Sequence, residues 1–119
     1  ASEKEVLGII DVDKKYVDRV RLGFSQVVSN GLGYGYMGKY NNSAGKTGTS
    51  QSFIDTDGDG KVDTETITSS FLGYSPAENP KISIVVVSPD VSLPDSNYQS
   101  AVTKRISSQL VNKYFSIYK

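Results

Sequence analysis

The sequence predicts an α/β fold of the α+β type, with an N-terminal helix and a long C-terminal helix packed on an antiparallel sheet. Apolar residues recur at helical spacing near both ends of the chain. Between them lie three stretches of strand-forming residues, separated by short turn-rich connections. Connections this short favour antiparallel hairpins, so we expect a sheet of at least three strands. The 119 residues suit one domain or part of one, 1–119, with no internal boundary.

The first helix is predicted over Lys14 to Ser29. Asp13 suits its N-cap, and Asn30-Gly31 is typical of a helix end. One apolar stripe at helical spacing is expected to be buried, and it consists of Val17, Val20, Phe24, Val27 and Val28.

The three strands are predicted over Lys46–Phe53, Thr66–Tyr74 and Lys81–Ser88. The third strand is apolar on both faces. Ile82, Ile84 and Val86 lie on one face, and Val85 and Val87 lie on the other. Two helices are expected to cover only one face of the sheet. The chain is therefore predicted to be a fragment, or to need an obligate partner.

The last helix is predicted from Ser96 to the end of the chain. Its apolar residues recur three or four positions apart, and they are Tyr98, Val102, Ile106, Leu110, Tyr114 and Ile117.

Composition excludes several functions. Lys plus Arg and Asp plus Glu both number 13, and this balance argues against a nucleic-acid-binding or polybasic membrane-surface protein. The chain has no Cys and no His, which excludes disulfides, Cys–His catalysis and a Ser–His–Asp hydrolase. An enzyme of this composition must use Ser, Thr, Lys, Tyr or carboxylate groups.

The segment Gly45–Ser50 contains the strongest local motif, Lys46-Thr47-Gly48. A phosphate-binding loop would need Gly at position 40, where the sequence has Tyr40. Two interpretations remain for the segment. One is a plain Thr-rich strand, and the other is the Lys-Thr-Gly strand of penicillin-recognising serine acyltransferases.

The second interpretation has a chemical basis. On a strand, Lys46, Gly48 and Ser50 face one way, while Thr47 and Thr49 face the other. Gly48 leaves room for a substrate peptide against the backbone. A backbone N–H along this strand can stabilise the oxyanion of a tetrahedral intermediate.

Three further segments accompany the triplet. They are Val20–Val28 upstream, and Ser69-Ser70-Phe71-Leu72-Gly73-Tyr74-Ser75-Pro76 and Asn79–Val87 downstream. Together with the triplet, they resemble the C-terminal part of the transpeptidase domain in class B, monofunctional penicillin-binding proteins of Gram-positive bacteria. The resemblance covers nearly the whole chain and implies a fragment of the serine β-lactamase and penicillin-binding transpeptidase fold.

The resemblance implies a D,D-transpeptidase that crosslinks peptidoglycan through an acylated serine, which β-lactams trap. Lys46 and Thr49 would be catalytic, with the Thr49 N–H as an oxyanion donor. Thr47, Gly48, Thr49 and Ser50 would bind substrate. The implied partners are peptidoglycan stem peptides, β-lactam antibiotics and the upstream part of the same domain, with no nucleic acid. The implied location is the extracytoplasmic face of the bacterial cell membrane, with the parent protein anchored by an N-terminal segment.

The family also needs a Ser-x-x-Lys nucleophile on a helix and a later Ser-x-Asn. Ser43–Lys46 and Ser116–Lys119 match the Ser-x-x-Lys motif in residue type, but neither is expected to be the helical nucleophile site. No Ser-x-Asn occurs in the sequence. The chain is therefore predicted to hold the Lys-Thr-Gly wall of the active site and to be inactive alone.

An acidic segment lies between the first two predicted strands. Its carboxylates at Asp55, Asp57, Asp59 and Asp63 have the spacing of a short calcium loop. A longer EF-hand loop would close with Glu where the sequence has Thr66. The other interpretation is a solvated hairpin turn. Calcium is the only cofactor that the sequence suggests, and a non-enzymatic extracellular calcium-binding module is the alternative function.

Overall fold

The computed structural model describes residue 3 and residues 5–37, 42–92 and 101–118. Helices and strands follow one another there in the order α1 (Lys14–Ser29), β1 (Ala44–Ile54), β2 (Thr64–Ser75), β3 (Ile82–Ser92) and α2 (Val102–Ile117). The predicted α+β architecture and the bounds of the first helix are confirmed. The predicted helix start at Ser96, and Tyr98 in its apolar stripe, lie outside the described residues.

The strands form one antiparallel sheet in the order β1-β2-β3. Cross-strand rows alternate between its two faces. One row contains Thr47, Phe71 and Val86, and the adjacent row contains Lys46, Leu72 and Val85. Since successive residues of a strand point to opposite faces, these two rows lie on opposite sides of the sheet.

The side of the sheet that carries Phe71 is the helix face. Its core brings together residues from both helices, two strands and the connection after α1, namely Val28, Met37, Phe71, Ile84 and Val111. In this arrangement α1 packs on β1, while α2 packs on β2 and β3. Both helices therefore cover the same face.

The predicted buried stripe of α1 is wrong for the first half of the helix. Val17 and Val20 are 41% and 55% exposed, whereas Val28 is 1% exposed. Only the C-terminal end of α1 reaches the core cluster. The N-terminal half borders an apolar groove of about 450 Å³ that also contains Tyr74 and Pro80.

The predicted burial of the last helix is also wrong in its orientation. Of the predicted stripe, Val102, Ile106, Leu110 and Ile117 are exposed, and Tyr114 is half-buried. The helix instead turns Thr103, Ser107 and Val111 towards the sheet.

Small side chains explain this orientation of α2. The hydroxyl oxygens of Thr103 and Ser69 lie 3.3 Å apart across the interface between α2 and β2. Thr103 and Ser107 are fully buried, and their size allows the helix to approach the sheet closely. Helical periodicity identifies an apolar face, but it does not show which neighbouring element that face meets.

The opposite side of the sheet, which carries Lys46, is the open face. Its apolar residues Leu72, Val85 and Val87 are 44%, 72% and 55% exposed. Within the described ranges, the helices therefore cover one apolar face and leave the other exposed, as the composition of the third strand predicted.

Candidate active site

The triplet Lys46-Thr47-Gly48 lies on β1 at an edge of the described sheet. Lys46 is exposed on the open face, in the row of Leu72 and Val85. Its ammonium group donates a hydrogen bond of 2.6 Å to the carbonyl of Thr47. The positive charge is thus held close to the backbone of its own strand.

The five predicted site residues divide between the two faces as expected. Lys46, Gly48 and Ser50 lie on the open face, while Thr47 and Thr49 lie on the helix face. Among the described strands, β1 pairs with β2 alone. Alternate N–H and C=O groups of β1 therefore point outward, where an extended peptide can pair with the strand.

A pair of glycines fixes β1 against the core just before Lys46. Gly45 and Gly73 face each other across β1 and β2. The Phe71 ring fills the space above them: a Cβ on Gly45 would lie 2.6 Å from Phe71 Cζ, and one on Gly73 would lie 3.0 Å from Phe71 Cε1. Since Phe71 is 1% exposed, the position of the triplet depends on the packing of the core.

A second close approach occurs within the triplet itself. Gly48 and Ser70 are cross-strand partners on the open face. A Cβ on Gly48 would come within 3.0 Å of Ser70 Oγ, closer than real Cβ atoms approach. The side chain of Ser70 therefore covers the position that Gly48 leaves empty.

The two serines of the Ser-x-x-Lys letter patterns lie in different surroundings. Ser43 is 3% exposed and directly precedes β1, and its hydroxyl lies 2.9 Å from that of Ser75. Ser116 lies in the last turn of α2, where it donates to the carbonyl of Lys113 at 2.7 Å. Its pattern ends at Lys119, which is outside the described residues.

The acidic segment forms the tip of the hairpin between β1 and β2. Carboxylate oxygens of Asp55, Asp57 and Asp63 lie within 4.8 Å of one another. The fourth predicted ligand, Asp59, is outside this group, and its carboxylate accepts a 2.8 Å hydrogen bond from the N–H of Lys61. The structure thus brings three of the four predicted carboxylates together.

Donors from the loop itself surround these carboxylates. Asp55 accepts the N–H groups of Gly60 at 2.8 Å and Gly58 at 2.6 Å, and these bonds lower its pKa. Hydroxyl donors from Thr64 and Thr56, at 2.7 and 2.8 Å, lower the pKa of Asp63. Both effects arise because hydrogen bonds to a carboxylate favour its charged form.

Sequence patterns assign no role at this site to Ser70 or Phe71. Both follow the acidic hairpin, and their pairing with β1 depends on the register of the whole loop. The register of a hairpin follows from the length and type of its turn. With a known turn geometry, the residues of β1 and β2 could have been paired from the turn outward, which places Ser70 opposite Gly48.

Comparisons with known proteins identify the family of this chain. Residues 2–112 match the family described as penicillin binding protein transpeptidase domain. Penicillin-binding protein 2A of Bacillus subtilis (strain 168) is 34% identical over 116 residues, which are 97% of this chain and 16% of that relative. Neither α1 nor α2, the helices in the described ranges, has the length and apolarity to cross a membrane. The chain belongs to the penicillin-binding protein transpeptidase domain family.

Proposed function

We propose that this chain forms one wall of the acyl-transfer site in a longer, serine-type D,D-transpeptidase. The observation that carries the proposal is the position of Lys46-Thr47-Gly48 on an edge strand, with Lys46 exposed on the open face. An edge strand can pair with an extended peptide, and an ammonium group beside it can attract a carboxylate.

The reaction requires a nucleophilic serine that lies opposite the strand with Lys46-Thr47-Gly48. The serine oxygen forms an ester with the substrate carbonyl, the carbonyl–nitrogen bond breaks, and the leaving nitrogen takes a proton. In this scheme Lys46 supplies positive charge, and the N–H of Thr49 donates to the oxyanion. Hydroxyls of Thr47, Thr49 and Ser50 bind the substrate, which is a peptidoglycan stem peptide or a β-lactam.

We place the nucleophile upstream, in the part of the same domain that covers the open face. The apolar residues Leu72, Val85 and Val87 give that part a surface to pack on. Residues 1–119 then form the C-terminal portion of one transpeptidase domain and are inactive alone. Because peptidoglycan lies outside the cell membrane, we place the site at the extracytoplasmic face, with the parent anchored upstream.

Covalent labelling by a fluorescent penicillin tests the proposal. We expect no labelling of the isolated chain, and labelling when it is co-expressed with the upstream part of the parent protein. Absence of labelling in a complex that has assembled, as shown by co-purification, would contradict the proposed function. Labelling of the isolated chain would contradict the placement of the nucleophile.

A further inference from the structure

The open face presents one hydroxyl beside the triplet whose role is unassigned. Ser70 lies on β2 directly opposite Gly48, which is two residues after Lys46 on the same face. Within the described ranges, its hydroxyl has no hydrogen-bond partner. Thr68, the adjacent residue on the same face of β2, is already paired, since its hydroxyl lies 2.7 Å from that of Ser52.

The side chain of Ser70 reaches over the edge strand. A Cβ on Gly48 would come within 3.0 Å of Ser70 Oγ, yet it would lie 3.7 Å from Ser70 Cβ, which is an ordinary contact. The steric requirement for glycine at position 48 therefore comes from the hydroxyl alone. On this part of β1, the hydroxyl of Ser70 occupies the place that a β1 side chain would take.

The surroundings make this hydroxyl suited to an amide ligand. Ser70 is half-buried, and the neighbouring open-face residues Leu72 and Val87 are apolar. A hydroxyl can both donate to a carbonyl and accept from an N–H, so it matches the alternating groups of an extended peptide. Lys46 lies two rows away on the same face and can hold the charged end of the same ligand.

We propose that Ser70 is a further substrate-binding residue, whose hydroxyl hydrogen-bonds an amide of the acyl peptide or β-lactam lying along β1. This inference rests on the proposed transpeptidase function. Gly48 is then required chiefly because it lets the Ser70 hydroxyl reach the substrate. An alanine at position 48 would force Ser70 into another staggered rotamer and remove the hydroxyl from its place.

A double-mutant cycle in the full-length protein tests this. The variants are Ser70→Ala, Gly48→Ala and the pair together, and the readouts are the rate of covalent labelling by a fluorescent penicillin and the melting temperature. Each single change is expected to lower the labelling rate by about fivefold to tenfold, the worth of one hydrogen bond. The double variant is expected to lose no more than either single variant, because both changes remove the same hydroxyl. Ser83→Ala, an exposed serine on the open face of β3, is the matched control and should label as the wild type.

Multiplicative losses in the double variant, or a wild-type rate for Ser70→Ala, would overturn the inference. If Gly48→Ala does not fold, the comparison of Ser70→Ala with Ser83→Ala decides alone. If the proposed transpeptidase function were wrong, the wild-type protein itself would not be labelled by the fluorescent penicillin, so the two failures can be told apart. The melting temperature of the double variant should equal that of Ser70→Ala, since the two Cβ atoms would be in ordinary contact at 3.7 Å.

Discussion

The hydroxyl of Ser43 lies 2.9 Å from the hydroxyl of Ser75, and both side chains are buried. This contact joins the residue before β1 to the last residue of β2. It gives Ser43 a structural role in holding the start of the edge strand, three residues before Lys46.

Ser43→Ala is therefore expected to destabilise the full-length protein without removing its chemistry. The loss of one buried hydrogen bond costs about 1 kcal/mol, seen as a melting temperature lower by a few degrees. The labelling rate with a fluorescent penicillin should stay near the wild-type value. Complete loss of labelling at an unchanged melting temperature would instead make Ser43 the nucleophile.

Lys46→Ala tests the charge on the open face. Its ammonium contacts only the carbonyl of its own neighbour Thr47 among the described residues, so its removal should leave the fold stable. We expect the acylation rate of the full-length protein to fall by about 100-fold or more, as for other groups that stabilise developing charge. Lys113→Ala, which removes an exposed lysine of α2, is the control for a lost positive charge. Equal rates for the two variants would refute the role of Lys46.

The acidic hairpin is expected to make stability depend on pH. The pKa values of Asp55 and Asp63 are lowered below the ordinary 3.8 by donors of the loop. Their stabilising effect is fully present above that value and is lost as the pH falls through the lower, folded-state pKa. Asp63→Asn should therefore be less stable than wild type at neutral pH, with a difference that narrows below about pH 4.

Denaturant unfolding of both proteins, followed from about pH 7 to about pH 2, measures this difference. Glu78→Gln is the control for a lost negative charge, because Glu78 is an exposed carboxylate on the other hairpin. If the free energies of unfolding of wild type and Asp63→Asn differed by the same amount at every pH, the prediction would be contradicted.

Calcium binding by the same hairpin remains a separate prediction from the sequence. The loop donors already occupy the carboxylates of Asp55 and Asp63, which favours the turn interpretation. We therefore expect no heat on calorimetric titration with millimolar calcium, and no change in melting temperature. Heat that disappears in Asp63→Asn would establish a metal site instead.

The uncovered open face predicts the behaviour of the isolated chain. Val85 and Val87 are exposed on the strand at the second edge of the described sheet, and such a surface promotes association between copies. The double substitution Val85→Thr and Val87→Thr keeps β-branched residues but makes the surface more polar. It should therefore lower the average molecular mass of the isolated chain in sedimentation experiments. Val62→Thr, at the exposed hairpin tip, should not.

Local patterns predicted the secondary structure well. The bounds of α1 followed from the positions of Asp13 before it and Asn30-Gly31 after it, although the Asp13 side chain makes no capping hydrogen bond. All three strands followed from their composition. The alternation of Lys46 and Thr47 between faces followed from strand geometry alone. The match of the motifs to a known family is confirmed over residues 2–112.

Packing between elements was not predictable in the same way. The apolar stripe of α2 is exposed because Thr103 and Ser107 allow a closer approach to the sheet than Ile106 or Leu110 would. The contact between Ser70 and Gly48 depends on the register around an acidic hairpin, which no periodicity encodes. Both depend on three-dimensional neighbours that are distant in the sequence.

The Phe71 ring above Gly45 and Gly73 limits how this protein can evolve. A larger residue at position 45 or 73 would meet both the ring and a backbone carbonyl, that of Leu72 or Ala44, so a smaller residue at position 71 would not by itself make room for it. Adaptation of the substrate wall, including escape from an inhibitor, is therefore confined to side chains that do not touch the ring. On β1 and β2 those are the open-face positions, where a change at Ser50 or Ser70 would alter a proposed substrate contact without disturbing the ring.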